Sequence, residues 1–199
     1  FPAFGFHPWF LHGYDPEKLR PLLGREDTVA VGEIGLDFAS PDYPPPDEQL
    51  RALDRQLGLA VEFGLPVLLH CRRAYDPLFA LLKEYRGRLR GVLHSYSGGA
   101  DLLPRFLDLG LAISFSGSVT RPNARKYHRA AAAVPADRFL LETDAPSIAT
   151  ESTAASGVEP RHVREVAQKI AALRGRTLEE IAAQSTQNAL ALFTRIPRR

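Results

Sequence analysis

The 199-residue chain has no methionine, one cysteine and one tryptophan, and its charges nearly cancel at a net +2. Each shortage excludes something. The lone thiol, Cys71, cannot form an internal disulfide. A chain that builds nothing on cystine suits a reducing compartment, so a cytoplasmic location is expected. The balanced charge is not that of a protein gripping nucleic acid by bulk electrostatics. No stretch approaches the roughly 18 apolar residues of a membrane span. Without an initiator the chain opens on Phe1, and Phe1 to Phe6 has neither the basic start nor the cleavage site of a signal peptide. An incomplete N-terminus is therefore expected.

The rest of the composition is globular, with 45% apolar and 24% charged residues. A chain of this length buries a core without staples, and one domain over residues 1–199 is expected. Arginine outnumbers lysine by 21 to four. That suits phosphate contacts, and it equally reflects a GC-rich genome.

Short apolar runs alternate with longer amphipathic stretches. The runs are Ala3 to Phe6, Val29 to Ile34, Pro66 to Leu69, Gly91 to Leu93, Leu111 to Phe115 and Phe139 to Leu141. Apolar residues on consecutive positions predict strands buried on both faces, as in a parallel sheet. Between them the spacing predicts helices over 47–63, 76–87, 100–109, 123–134, 159–174 and 177–193. In the first, Leu50, Leu53, Leu57 and Val61 share a face and Gly64 is the stop. Thr177 with Glu180 fits a capping box. Ser40 to Pro46 and Ala149 to Gly157 read as loops. The repeated β-α order predicts an α/β fold.

Polar groups end each run: His7, Glu33, His70, His94 and the pair Glu142 and Asp144. In a parallel β/α fold such ends converge on the face that carries active sites. Glu33, His70, His94 and Asp144 offer two imidazoles and two carboxylates, a set for Zn, Mn, Mg or Fe. Taken singly each has a bland reading. His7 before Pro8 can start a loop, Glu33 can pair with an arginine, and Asp144 can cap a helix. Asp37 reads as structural or as support for a ligand, and Cys71 as packing. His12, His128 and His162 read as surface residues. Arg72 either holds a phosphate at the site mouth or is simply solvent-exposed. The turn Ser95 to Gly99 can present N–H groups to an anion.

Several segments, in order, resemble the TatD family of metal-dependent nucleases. They are GFHPW (5–9), VGEIGLDF (31–38), PVLLHCR (66–72), VLHSYSGG (92–99), LLETDAP (140–146), EP (159–160) and NALALF (188–193). The resemblance implies a (β/α)8 TIM-type barrel that holds up to two divalent ions (Mg, Mn or Zn) and cuts phosphodiester bonds in DNA. It implies that Glu33 bridges the ions and that His70 and His94 bind one of them. Asp144 binds the other and acts as base, and His7 lies near the scissile phosphate, with Arg72 beside it. Family members open on a His-x-His strand that is absent here. About six of the eight β-α units are therefore expected, with the N-terminal ones missing. One well-held ion, low activity and self-association through exposed barrel edges follow as expectations. The implied partner is DNA, as single strands or nicked ends, with no membrane. Two rivals share these residues: a barrel metallohydrolase of a small ester, lactone or amide, and a catalytically weak remnant acting as a binding module.

Overall fold

The computed structural model describes residues 1–197. Six parallel strands follow the chain in the sheet order β1-β2-β3-β4-β5-β6. They are β1 (Ala3–Phe4), β2 (Ala30–Asp37), β3 (Val67–Arg72), β4 (Gly91–Leu93), β5 (Leu111–Phe115) and β6 (Phe139–Leu141). The helices are α1 (Arg20–Leu23), α2 (Pro46–Phe63), α3 (Tyr75–Lys83), α4 (Leu103–Leu107), α5 (Arg125–Ala133), α6 (Val163–Arg174) and α7 (Leu178–Leu192). The expected α/β class with parallel strands is what the chain adopts. None of these helices is long and apolar enough to cross a membrane.

Two compact units divide the chain. The first is Phe1–Leu93 with Asp108–Leu111 and the tail from Leu190, and the second is His94–Leu107 with Ala112–Ala189. In the first unit β2 is the central strand. Ala30, Val31, Ile34 and Leu36 are fully buried, as a strand covered on both faces requires. It pairs in parallel with β1 and β3, and β3 pairs with β4. The tail returns to this unit. One guanidinium nitrogen of Arg195 donates to the carbonyls of Leu23, Arg25 and Thr28, closing the orphaned end of α1.

Helix α2 starts on Pro46 with Asp47 and Glu48 in its first turn, and Gly64 ends it at φ 63°. Its buried face is rotated from the expected one. Leu53 and Leu57 are buried as anticipated, worth about 1.5–3 kcal/mol each. Leu50 and Val61 are only half-buried, and Gln49 and Gln56, each 1% exposed, lie deeper. The reason is backbone accounting. Gln56 accepts from the Phe6 N–H at 2.6 Å and donates to the Phe6 carbonyl at 3.2 Å. Gln49 accepts from the Asp37 N–H at 2.7 Å and donates to the carbonyls of Asp37 and Pro44. Strand ends leave polar backbone groups that a leucine could not satisfy.

In the second unit β5 pairs with β6 in parallel. Asn188 of α7 donates to the carbonyls of Ala136 and Phe139, both at 2.8 Å. The Arg174 guanidinium donates to the carbonyls of Ala131 and Val134 and lies over the Phe139 ring. Burial lowers its pKa below the usual arginine value. The Thr177–Glu180 capping box is present, with Thr177 N–H donating to Glu180 and Glu180 N–H to Thr177.

Other differences from expectation are local. The second and third strands run further than their apolar cores, to Asp37 and Arg72, so the site residues lie inside them. The first strand is only Ala3–Phe4, and Phe1 is 75% exposed. Helix α1, with the 3₁₀ turn Pro16–Leu19, was not anticipated between the first two strands. The helix expected over 100–109 opens as a 3₁₀ turn, Ala100–Leu102, and the one expected over 159–174 opens as Pro160–His162. Ala155–Gly157 is a 3₁₀ turn within an expected loop.

Candidate metal centre

Glu33 is the hub of the first unit's polar end. It lies where the β2–β3 register slips between Val31 and Ile34. Such a bulge re-aims a side chain within a strand. Past the slip, Gly35 pairs with His70. A Cβ on Gly35, whose φ is 151°, would run into the His70 main chain. The glycine is thus what lets β2 and β3 close up beneath the site.

One carboxylate oxygen, Glu33 Oε1, lies 2.8 Å from His70 Nδ1 and 3.3 Å from His7 Nε2. The other nitrogen of His70, Nε2, lies 3.0 Å from Asp37 Oδ2. Alternation along β3 points His70 into the site and Cys71 away from it. Cys71 is buried, and burial pushes its thiol up to about 12, which removes it as a nucleophile and bears out a packing role. Asp37 is fully buried and holds three donors. Trp9 Nε1–H donates to Oδ2 at 2.8 Å, the Ala39 N–H donates to Oδ1 at 2.9 Å, and His70 faces Oδ2. The His7 ring accepts from the Trp9 N–H at Nδ1, so its proton sits on Nε2, toward Glu33.

Single ligand atoms of His7, Glu33 and His70 all lie within 4.8 Å of one another. Two imidazoles and a carboxylate on one point fit a divalent ion. Asp37 behind His70 is placed as the carboxylate that would orient the imidazole toward an ion. Glu33 and His70 were expected here as ligands. His7, expected near the phosphate, joins the same cluster. Arg72 is exposed at the end of β3.

In the second unit His94 Nδ1 lies 3.4 Å from Glu142 Oε1, which is buried and makes no hydrogen bond. Asp144 is half-buried with φ 55°, and its carbonyl accepts from the Ser147 and Ile148 N–H groups. The Ser95–Gly99 turn is less open to an anion than its composition suggested. The N–H groups of Ser95 and Tyr96 are consumed by the Ser114 hydroxyl and carbonyl. Of the remaining histidines, His12 is exposed, His128 bonds the Val119 carbonyl, and His162 completes a capping box with Glu159.

Sequence reasoning missed Trp9 and Tyr43 as site neighbours, and it gave Glu142 no role. Trp9 had one signal, its place two residues after His7. Glu142 had another, its place two residues before Asp144 on the same strand end.

A parallel α/β sheet whose strands end in paired imidazoles and carboxylates defines a metallohydrolase of the barrel type. A model of the family "TatD related DNase" matches residues 1–194. The chain belongs to that family, and it is a metal-dependent hydrolase. It is 35% identical over 197 residues to a protein of Bacillus subtilis (strain 168) named "Uncharacterized metal-dependent hydrolase YabD", spanning 97% of this chain and 77% of the relative. It is 36% identical over 198 residues to the "3'-5' ssDNA/RNA exonuclease TatD" of Erwinia amylovora, spanning 95% and 76%. The crystal structure of YjjV, a TatD homologue from Escherichia coli K12, superposes with a TM-score of 0.90 at 36% identity, covering 98% of this chain and 76% of that one.

Proposed function

We propose that the chain hydrolyses phosphodiester bonds in single-stranded DNA. The observation that carries this reading is the meeting of Glu33 and His70, with His7 beside them, at one strand end. The name of the Erwinia amylovora relative, an ssDNA/RNA exonuclease, supports the substrate class.

Glu33 and His70 would hold a divalent ion, with His94 in the ligand role that the resemblance assigns it. When bound, the ion supplies positive charge to the phosphate oxygens and acidifies water. Asp37 accepts the Nε2 proton of His70 and so leaves Nδ1 as the lone-pair nitrogen on the Glu33 side. His7, with its proton on Nε2, donates to a non-bridging phosphate oxygen rather than ligating. Arg72, exposed past β3, adds a second positive donor to the phosphate. Asp144 would take the proton of the attacking water as its oxygen bonds to phosphorus, while the bond to the sugar oxygen breaks and that oxygen takes a proton from solvent.

The test is cleavage of end-labelled single-stranded DNA with Mg²⁺, Mn²⁺ or Zn²⁺ and a chelator control, beside Glu33→Gln, His94→Ala and Asp144→Asn. Metal-dependent cleavage lost in Glu33→Gln is the expected result. Cleavage that persists in Glu33→Gln overturns the assignment. His7→Ala is expected to raise KM while metal affinity, read by titration calorimetry, stays within a few-fold.

A further inference from the structure

Trp9 and Phe10 are large aromatic residues that remain 37% and 68% exposed. Neither is loose. The Trp9 ring stacks on Tyr43 at 5.1 Å and 19° between planes, its Nε1–H donates to the buried Asp37, and its N–H donates to His7. Tyr43 is itself presented by the Ser40 to Pro46 loop, where Gln49 anchors the Pro44 carbonyl at 2.7 Å. Phe10 packs at 6.2 Å from Trp9 and its N–H donates to the His7 carbonyl. The platform adjoins the metal cluster: the His7 ring centre lies 4.7 Å from Trp9 and 6.0 Å from Phe10, about the span of one nucleotide.

An exposed ring costs nothing to order on binding when its rotamer is already held. A core role does not explain Phe10, since most of its surface meets water. Every nucleobase offers a π-face, so such a platform takes bases without reading their sequence. Bases within a duplex already cover one another's faces, and an unpaired base does not.

We propose that Trp9 and Phe10, braced by Tyr43, form a stacking subsite for an unpaired nucleobase whose phosphate lies at His7. The subsite rests on the phosphodiesterase reading and adds to it the ring surface that takes the base.

The test uses a property of the sequence: Trp9 is the chain's single tryptophan. Its fluorescence is titrated in chelator with an oligothymidylate of about ten residues, and with an equally long oligomer of base-free tetrahydrofuran nucleotides. Saturable quenching by the first and little by the second is expected. Phe10→Ala and Tyr43→Ala should each cut the preference for the base-bearing oligomer about ten-fold, the scale of one stacked base. Anisotropy of a labelled oligomer gives the same affinities independently of the reporter ring. Equal quenching by the base-free oligomer, or an unchanged preference in Phe10→Ala, overturns the subsite. Metal-dependent cleavage of the same oligothymidylate is read in parallel. Quenching without cleavage keeps the stacking subsite and removes the nuclease, and cleavage without quenching does the reverse.

Discussion

Replacing Asp37 by asparagine isolates what its charge contributes, because the shape is unchanged. The carboxylate receives three donors on two oxygens: Trp9 Nε1–H and His70 Nε2 at Oδ2, and the Ala39 N–H at Oδ1. An amide has one acceptor oxygen. If that oxygen faces Trp9 and His70, the NH2 group opposes the Ala39 N–H. If it faces Ala39, two donors oppose the NH2. The better orientation forfeits one charge-assisted bond, about 1.5–3 kcal/mol, and weakens the other two to neutral strength. Since the site is fully buried, water does not repair the loss. Urea unfolding should therefore place Asp37→Asn roughly 2–4 kcal/mol below the parent. Metal affinity by titration calorimetry should fall about 10–100-fold, because His70 then faces a neutral amide oxygen in place of the carboxylate that raises its basicity. A variant within about 0.5 kcal/mol of the parent, with unchanged metal affinity, would mean that the Asp37 charge does neither job.

Three further outcomes are expected. Gln56→Leu leaves the part-buried Phe6 N–H and carbonyl without their amide partner and should cost about 1–3 kcal/mol by urea unfolding; a loss under about 0.5 kcal/mol would mean water replaces the amide. Gly35→Ala should fail to give folded protein, or cost more than about 4 kcal/mol, since its Cβ meets backbone rather than a yielding side chain. The third concerns alkaline pH. Burial raises the Cys71 thiol from 9.0 to about 12, so the folded chain keeps a proton that the unfolded chain releases above pH 9. Stability held by the neutral thiol is complete below pH 9 and falls as pH rises toward 12. The loss is about 2–3 kcal/mol by pH 11, and Cys71→Ala should flatten that part of a stability–pH profile.

The polar ends of the strands were legible because a parallel strand is apolar on both faces. In such a run Glu33, His70 and His94 have no ordinary place, so each stands out. What connects them was not legible. The Trp9–Asp37 bond spans 28 positions and the His70–Asp37 contact 33, and no local periodicity encodes either. Gln49 and Gln56 were invisible for a different reason. Seven residues apart on one face of α2, they look like surface polar residues until the backbone groups of Phe6 and Asp37 are found opposite them. The extent of β2 was understated because glycine and acidic residues ordinarily end a strand, whereas here they carry the site within it.

Backbone conformation is unusual at three of the strand ends. Among the described residues, three non-glycine residues have positive φ: Arg73 at 55°, Ser95 at 42° and Asp144 at 55°. They follow β3, β4 and β6, each at the point where the chain leaves the sheet. A side chain in this region costs of order 1–3 kcal/mol, and glycine adopts it freely. Folding alone would favour glycine at all three. Ser95 offsets its cost locally, since its hydroxyl lies 2.7 Å from that of Ser116 and its N–H is held by Ser114. Arg73 follows the exposed Arg72 at the end of the strand that carries His70. Asp144 is the carboxylate assigned the proton of the attacking water. Aspartate adopts this region more readily than most residues, and the Asp144 carbonyl accepts from the Ser147 and Ile148 N–H groups. The three strained positions coincide with the strand ends that the polar residues had already marked.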